Sequence, residues 1–547
     1  MTVPRTRGGT RREHSQPSST LIDGPYSRRV RIAALDLGSN SFHLLVADAR
    51  PDGSFVPLVR EKEMLRLADR VSRLGVIDAE AADLAVDTVR RLRTIAEAAD
   101  ADEVVACATS AIREAANGVE LVERLRDEAG VVVRVISGMD EARLIFEAVR
   151  ASVLIDPGPA VCLDLGGGSL EVTVGDSAGL RWLTSLKLGV ARLTAELVQA
   201  DPPDESDLRR LRRRVKDELG PVADDITAFA PRLLVGTSGT LTDLARLAVA
   251  RRDGAVPASM HQVHVGREDL ESAHRKLTGL AADERRKLPG MAKRSDLAPA
   301  GSSLLLTAME LFGLDELTIG TWALREGMVL DAIARHDPAD WGNDPRLIRA
   351  GSVVDLARRC GWREGHARQV ARLAVSLFDQ TRTLHQLDLH DRELLEYAGL
   401  LHDIGEHVSS DGHHKHTAYL IEHGRLRGFT PDEVATLTIL GRFHRPGEPK
   451  TSFEPYAAVA PERRDQVRVL LACLQLADGL DRGHASAVER IDVEVRDDGI
   501  TIAVRAEGEP DLELWGARRK RELFETVTGR PLELVAASTH RLRVGHA

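Results

Sequence analysis

Apolar and polar residues follow two different periods along the chain, and the change of period divides the sequence into two main regions. Up to about residue 336, short apolar runs of strand length alternate with segments whose apolar residues have helical spacing. The run at 103–108 (EVVACA) predicts a strand, and the segment at 80–98 predicts a helix. From 345 to about 481, almost every segment has helical spacing. The pattern therefore predicts an α/β region followed by an all-α region.

The remaining stretches predict two chain ends and a linker. The first 28 residues are rich in Arg, Ser, Pro and Gly, and we expect a disordered extension there. The stretch HDPADWGND at 336–344 predicts a linker. After residue 488, the pattern predicts a small α+β region with one helix at 516–528 and strands at 491–496, 500–505 and 541–544. We thus expect five units, at residues 1–28, 29–155, 156–336, 345–485 and 488–547.

A hairpin motif occurs twice in the α/β region. The sequence LDLGSNSFHLLV at 35–46 returns as LDLGGGSLEVTV at 163–174. In each copy an apolar strand reaches Asp, turns at glycine and continues as a second strand. Glycine lets the backbone approach a ligand closely, and successive N–H groups can converge on phosphate oxygens. A single copy could be a hairpin without a ligand, but two copies predict similar halves that face each other across a cleft.

A third glycine turn follows the apolar run at 232–235. Gly236, Ser238 and Gly239 stand between this predicted strand and a helix that begins near Leu241. The N-terminus of a helix after such a turn favours a phosphate group or a nucleoside. The turn is therefore a further candidate binding site.

Composition narrows the class of protein. The chain has 547 residues, and its 3% of aromatic residues argues against a protein that binds single-stranded nucleic acid by stacking. Its net charge of −10 argues against a globally basic surface, whereas its 74 Lys and Arg residues leave a local basic groove open. Its four cysteines are scattered and form no CxxC pair, as in proteins of a reducing compartment. No apolar run reaches membrane-spanning length. We expect a cytoplasmic protein without membrane or nucleic-acid partners.

With these motifs the chain resembles the exopolyphosphatase and guanosine pentaphosphate phosphohydrolase family. The matching stretches follow the family's order between 32 and 330: DLGSNSFHLLV, TSAIREA, ISGMDEARLIF, LDLGGGSLE, SLKLGVARL, GTSGT, RSDLAPAG and ALREGM. LLHDIG and HHKHTAYLI extend the match into the helical region. The resemblance implies two ribonuclease-H-like subdomains of the actin, hexokinase and acetate-kinase superfamily, the second ending in a helix that returns to the first. It also implies an HD-type helical domain and a homodimer.

The resemblance implies roles for the cleft residues. Glu141 would orient the attacking water, Arg113 would neutralise charge on the transferred group, and Glu171 would hold the same water or a metal ion. On the residues alone, Glu141 is better explained as an acid at a helix N-terminus. Asp36 and Asp164, together with Glu171, would meet Mg²⁺. The phosphate-binding residues would be Gly38, Ser39, Asn40, Gly166, Gly167, Gly168, Ser169, Gly236, Ser238 and Gly239.

The helical region contains the ordered set of metal ligands found in HD phosphohydrolases. The set is His366, His402, Asp403 and Asp478, with His413, His414, His416 and His444 nearby. Imidazoles and carboxylates suit Mn²⁺ or Fe²⁺. Alternatively, the helices only pack together and present Arg442, His444 and Arg445 to a polyanion.

The leading hypothesis is an Mg²⁺-dependent exopolyphosphatase that releases orthophosphate from chain ends. Within the same class, the chain could instead be a 5′-phosphohydrolase of guanosine pentaphosphate (pppGpp). Other classes remain open: a weakly catalytic regulator that binds polyphosphate or guanosine polyphosphates, a kinase or ATPase of the superfamily, or an enzyme whose active site is the HD-type domain.

Overall fold

The computed structural model describes residues 30–50, 54–156, 158–336, 345–506 and 508–537. The predicted extension, the predicted linker from residue 337 and the predicted strand at 541–544 lie outside these ranges. The four cysteines are buried and free. Within the described ranges, no helix has both the length and the apolar character needed to cross a membrane.

The first part of the α/β region is built on a five-stranded sheet. Its elements are β1 (Val30–Leu37), β2 (Ser41–Ala49), β3 (Phe55–Met64), α1 (Leu67–Leu74), α2 (Ala79–Ala98), β4 (Glu103–Ala108), α3 (Ser110–Glu114), α4 (Gly118–Ala129), β5 (Val133–Val135) and α5 (Gly138–Arg150). The strand order is β3-β2-β1-β4-β5. The first three strands in this order are antiparallel neighbours, and β4 and β5 run parallel to β1. The central position of β1 explains its continuous apolar run.

The second part repeats this plan. Its elements are β6 (Ala160–Leu165), β7 (Leu170–Asp176), β8 (Gly179–Leu186), α6 (Val190–Leu197), α7 (Glu205–Thr227), β9 (Leu233–Thr237), α8 (Ser238–Asp253), β10 (His264–Gly266), α9 (Arg267–Thr278), α10 (Ala282–Arg285), α11 (Ala298–Phe312), β11 (Glu316–Ile319) and α12 (Leu324–His336). The order β8-β7-β6-β9-β11 has the strand directions of the first sheet, with β10 added at one edge. The predicted α/β class is confirmed, and the repeated plan agrees with a core of the actin and hexokinase type.

Two helices join the two sheets. One face of α5 packs Ile145 into the apolar cluster of β1 and β2, and the other face packs Phe146 against Cys162 of β6. Helix α12, at the end of the α/β region, returns to the first sheet, where Met328 lies in the same cluster as Ile145. Helix α5 therefore lies between the two halves.

The region after residue 345 is all-helical up to residue 479, as predicted. Its elements are α13 (Pro345–Arg359), α14 (Glu364–Gln380), α15 (Arg382–His385), α16 (Leu389–Leu401), a 3-10 turn (Ile404–His407), α17 (His413–Glu422), α18 (Pro431–Phe443), α19 (Glu454–Ala458) and α20 (Pro461–Gly479). Local signals are clear at α18, where Thr430 and Glu433 form a reciprocal capping box. The HD-type assignment of this region stays a prediction.

The C-terminal part contains a small sheet with the order β12-β13-β14. Its elements are β12 (Val488–Val495), β13 (Ile500–Ala506), α21 (Asp511–Arg518), α22 (Glu522–Thr528) and β14 (Leu532–Ala536). The prediction of one helix at 516–528 is wrong, because this segment belongs to two helices with a break between α21 and α22. Lys520 lies at the break and contacts Asp478 of α20. The sequence pattern also missed β14, which pairs in parallel with β13. Apolar side chains of the tail and of the helices form one continuous core.

Candidate active site

Both predicted hairpins form, and their registers place polar residues at the same level. Asp164 of β6 lies opposite Glu171 of β7. Asp36 of β1 lies opposite His43 of β2. The two hairpins are therefore structurally equivalent, with a histidine in one where the other has a glutamate.

The turns of the two hairpins meet. A Cβ atom added at Gly167 would lie 2.7 Å from Nδ2 of Asn40. One added at Gly168 would lie 2.4 Å from Oγ of Ser110 and 3.4 Å from Oγ of Ser39. A larger residue at either position would push the first half away, so these glycines permit the close approach of the two halves.

Helices fix the orientation of the peptide groups in both turns. The carbonyl oxygens of Gly166 and Gly167 accept hydrogen bonds from N–H groups at the start of α6. The carbonyl oxygen of Ser39 accepts one from the N–H group of Ala68 in α1. Because a trans peptide places its N–H group opposite its carbonyl group, the N–H groups of Gly167, Gly168 and Asn40 point away from these helices. This arrangement can receive an anion.

Glu141 and Arg113 lie together beside these turns. Glu141 is in the first turn of α5, which Ser137 caps by accepting a hydrogen bond from the N–H group of Asp140. Glu141 is 8% exposed, and its Oε2 atom lies 3.6 Å from Nη1 of Arg113. The same Nη1 atom donates a hydrogen bond of 2.7 Å to the carbonyl oxygen of Ile136. The structure thus brings together the predicted base and the predicted cation.

Three carboxylate oxygens at this place are buried without a hydrogen-bond partner. They are Oδ1 of Asp36, Oε2 of Glu141 and Oε2 of Glu171. The other oxygen of Glu171 accepts a hydrogen bond of 2.8 Å from the hydroxyl of Ser185. A buried oxygen of this kind costs free energy unless a ligand or a proton satisfies it.

Burial and, for three of them, neighbouring negative charges raise the pKa values of the carboxyl groups at this site. Burial raises the pKa of Asp36 to about 7 and that of Glu171 to about 7, and in both cases the charge of Asp164 adds to the effect. Burial, followed by the charge of Glu171, raises the pKa of Glu141 well above its usual value. The pKa of Asp164 is raised by burial as well. The four carboxyl groups therefore bind a proton or a nearby cation more readily than exposed carboxyl groups do.

The three predicted Mg²⁺ ligands do not form a compact cage. Within the described ranges, groups of three or more His, Cys, Asp or Glu with all ligand atoms within 4.8 Å of one another lie in the helical region. Asp36, Asp164 and Glu171 form no such group. Their carboxylates are nevertheless the hard oxygen donors that suit Mg²⁺, an ion that keeps several of its waters in protein sites. The donor set therefore fits Mg²⁺ held partly through water.

Three cationic side chains for which the sequence predicted no role lie around the first hairpin. Arg325 donates a hydrogen bond of 2.9 Å to Nδ1 of His43, and Lys62 of β3 lies opposite His43. Burial lowers the pKa of Lys62 to about 8, and the charges of Arg294 and Arg325 lower it further. Arg294 and Arg325 belong to the RSDLAPAG and ALREGM stretches, and this membership could have indicated a role for them in the site. Lys62 lies in a charged strand, and no sequence signal indicated a role for it.

The third glycine turn differs from the other two. A Cβ atom at Gly236 would lie 2.8 Å from Leu317 and 3.1 Å from Leu241, so this glycine faces the apolar core rather than a cleft. Gly239 lies against the guanidinium group of Arg294. A Cβ atom added at Gly239 would lie 2.3 Å from Nη2 of Arg294. Ser238 has a φ of 79°, a left-handed conformation that is costly for a residue with a side chain.

The predicted ligands of the helical region lie together. His366, His402 and Asp478 offer ligand atoms within 4.8 Å of one another, and Oδ2 of Asp403 lies 3.5 Å from Nε2 of His402. Asp403 also groups with two of the nearby candidates, His413 and His444. His414 and His416 join no such group within the part of the chain that is described.

Comparisons with known proteins identify related families and relatives. Residues 45–336 match the Ppx/GppA phosphatase family, and residues 348–509 match Ppx/GppA phosphatase domain III. Exopolyphosphatase 1 of Mycobacterium tuberculosis (strain ATCC 25618 / H37Rv) is 37% identical over 338 residues, which are 61% of this chain and 95% of that protein. Exopolyphosphatase 1 of Mycobacterium leprae is 36% identical over 303 residues, which are 55% of this chain and 89% of that protein.

A crystal structure of an exopolyphosphatase from Cytophaga hutchinsonii is also similar. It has a TM-score of 0.52 at 30% identity and covers 55% of this chain and 98% of that chain. The first family match alone spans more than half of the sequence. The chain therefore belongs to the Ppx/GppA phosphatase family.

Proposed function

We propose that the protein is an exopolyphosphatase, a hydrolase that releases orthophosphate from the end of inorganic polyphosphate. The observation that carries this proposal is the set of buried, unpartnered oxygens of Asp36, Glu141 and Glu171 beside Arg113 and the two glycine turns. A phosphoryl group, its counter-cation and an attacking water would supply the missing partners. The exopolyphosphatase relatives support the same reaction.

Glu141 is the group that we propose to orient and deprotonate the water. The oxygen of the water bonds to the terminal phosphorus, the bond from that phosphorus to the bridging oxygen breaks, and Glu141 takes the proton. Burial and the charge of Glu171 raise the pKa of Glu141, so it holds a proton more strongly than an exposed glutamate does. The unpartnered oxygen of Glu171 holds the same water.

The remaining parts neutralise charge and fix the phosphate. Phosphoryl transfer depends mainly on positioning and electrostatic stabilisation. Arg113 contributes a positive charge beside Glu141, and the turn N–H groups around Asn40 and Gly167 contact phosphate oxygens. Asp36 and Asp164 would hold Mg²⁺, which neutralises phosphate charge when it is bound.

The surroundings favour a long polyanion over a compact substrate. Lys62, Arg294 and Arg325 raise the local positive potential beside the first hairpin, as the lowering of the pKa of Lys62 by the two arginines indicates. Polyphosphate carries negative charge well beyond its terminal phosphoryl group and can use these cations. A guanosine polyphosphate has a shorter charged part and would leave some of them unused.

Orthophosphate release from four substrates, measured side by side with purified protein and Mg²⁺, tests this proposal. We expect the highest kcat/KM with long polyphosphate, lower values with tripolyphosphate and pppGpp, and little release from ATP. A higher kcat/KM with pppGpp would replace the proposal by the pppGpp phosphohydrolase. Tight polyphosphate binding without release would identify a regulator instead.

A further inference from the structure

Three polar side chains form a row across one face of the first sheet. Asp36 of β1 lies opposite His43 of β2, and His43 lies opposite Lys62 of β3. Residues directly opposite each other on neighbouring strands share a face of the sheet. The equivalent row of the second sheet consists of Asp164, Glu171 and Ser185. The middle position therefore holds an imidazole in one half and a carboxyl group in the other.

The hydrogen bonds of His43 determine which of its ring nitrogens carries a proton. Nη1 of Arg325 lies 2.9 Å from Nδ1 of His43. A guanidinium group can only donate, so Nδ1 accepts this hydrogen bond and carries no proton. Nε2 carries the proton of the neutral ring and donates a hydrogen bond of 2.7 Å to the hydroxyl of Ser41. Burial and the charges of Arg325 and Lys62 lower the pKa of His43 to about 2, which agrees with a neutral ring.

The guanidinium group of Arg325 keeps most of its hydrogen-bonding capacity. Its side chain is 19% exposed, and within the described ranges its other nitrogens are neither hydrogen-bonded nor buried. Oε1 of Glu326 lies 3.8 Å from Nη2 of Arg325 but only 3.3 Å from Nη1 of Arg60. The charge of Glu326 is therefore shared with Arg60. Several N–H groups of Arg325 remain available for phosphate oxygens, which arginine binds in a planar, bidentate way.

Arg325 lies beside the proposed phosphate site. Burial raises the pKa of Asp36, and the positive charge of Arg325 opposes this rise. Asp36 comes two residues before Gly38, where the turn of the first hairpin begins. A guanidinium group that acts on Asp36 from this side also acts on a phosphate chain bound at the turn.

A carboxylate in place of His43 would have a different effect on Arg325. It would accept the same hydrogen bond, but its negative charge would offset the positive charges of Arg325 and Lys62. A neutral imidazole accepts the hydrogen bond and leaves both charges undiminished. The two halves differ in this respect, because the second half has Glu171 at the equivalent position.

We propose that His43 is a positioning residue, which directs the guanidinium group of Arg325 toward the bound phosphate chain without neutralising its charge. Ser41 completes the arrangement by accepting the hydrogen bond from Nε2. This inference rests on the proposed exopolyphosphatase function and adds two residues to its substrate site. An oriented donor loses less conformational freedom when it binds, so the effect of His43 falls on affinity rather than on the chemical step.

Binding of long polyphosphate tests the proposal without relying on hydrolysis. Kd is measured by titration calorimetry with Glu141→Gln protein in Mg²⁺-free buffer, alone and with a second substitution. His43→Leu removes the acceptor, His43→Asn keeps an acceptor oxygen close to the position of Nδ1, and His43→Asp has the shape of Asn with a negative charge. We expect Kd to rise about tenfold with Leu and with Asp, and to stay within about threefold with Asn. In Arg325→Ala protein, His43→Leu should have no further effect.

His264 provides the matched control, because it is an exposed strand histidine at the outer edge of the second sheet. Its Nδ1 atom lies 3.1 Å from the hydroxyl of Thr318, and His264→Leu should leave Kd unchanged. Circular dichroism checks that each variant is folded. The proposal is overturned if His43→Leu binds polyphosphate as tightly as the parent protein, if His43→Asn loses as much as His43→Leu, or if His43→Asp binds as tightly as His43→Asn.

Steady-state release of orthophosphate separates this inference from the proposed function. With Glu141 intact and Mg²⁺ present, we expect KM of the His43 variants to follow Kd, whereas kcat changes less than about threefold. A kcat that falls while KM and Kd stay unchanged would overturn the positioning role. If wild-type protein binds polyphosphate but releases no orthophosphate, the proposed hydrolase fails and the Kd series still decides the role of His43. If wild-type protein does not bind polyphosphate, both proposals fail.

Discussion

Replacing Asp36 by Asn should make the folded protein more stable at pH 8, although the residue belongs to the proposed active site. Burial raises the pKa of Asp36 from 3.8 to about 7. Because the folded state holds this proton more tightly than the unfolded state, the free energy of unfolding is highest below pH 3.8 and falls as the pH rises to about 7. At about 1.4 kcal/mol per tenfold change in the dissociation constant, the loss at pH 8 is at most about 4 kcal/mol.

Scanning calorimetry in Mg²⁺-free buffer measures this effect. Asp36→Asn removes the buried charge, so we expect a gain of about 2–4 kcal/mol at pH 8, or about 1 °C in melting temperature per kcal/mol. The gain should vanish near pH 4 and shrink when Mg²⁺ is added. Asp48→Asn is the control, because Asp48 on the neighbouring strand accepts a hydrogen bond of 2.8 Å from Arg31 and has nothing to gain. A lower melting temperature of Asp36→Asn at pH 8, or an equal gain at pH 4 and pH 8, would refute the reasoning.

Three further predictions concern the same region. Since the pKa of Glu171 is raised to about 7, kcat/KM for polyphosphate should fall as the pH drops below about 7, and a rate profile from pH 5 to 9 checks this. Lys62→Ala should raise KM for long polyphosphate about tenfold at low salt and less at high salt, as a steady-state assay measures. The control variant Lys216→Ala removes a surface ion pair with Glu310 and should leave KM unchanged in the same assay. Gly189→Ala should lower stability by more than about 2 kcal/mol in urea unfolding, because its Cβ would lie 2.2 Å from the backbone of Gly168; Gly220→Ala, with nothing within 4 Å, should raise it by about 0.5–1 kcal/mol.

The hairpins could be predicted because the signal is local. An apolar run that ends in Asp-x-Gly fixes a strand, its end and a turn within a dozen residues, and the repetition at 35–46 and 163–174 implied two related halves. The turn then sets the register of the two strands, and this register places Asp164 opposite Glu171. The pairing of Glu141 with Arg113 came from the family resemblance, since neither residue type nor spacing implies it.

The parts that could not be predicted depend on contacts between distant segments. Arg325 reaches His43 across more than 280 positions, and no periodicity encodes that contact. The break between α21 and α22 coincides with the contact of Lys520 with Asp478, and the helical spacing of the segment does not indicate either. The neighbouring strand β14 was not predicted, because its parallel pairing with β13, rather than a pattern within its own sequence, identifies it as a strand. The predicted homodimer stays a prediction.

The central claim is that Glu141 activates the water that attacks polyphosphate, and single-turnover release of orthophosphate tests it most directly. Glu141→Gln keeps the shape of the side chain but removes the base, and the account predicts a rate about 10²–10⁴-fold below wild type. Asp140→Asn, in the same helix turn but exposed, should keep the wild-type rate within a few-fold. A Glu141→Gln rate equal to that of Asp140→Asn, with both variants folded, would contradict the account.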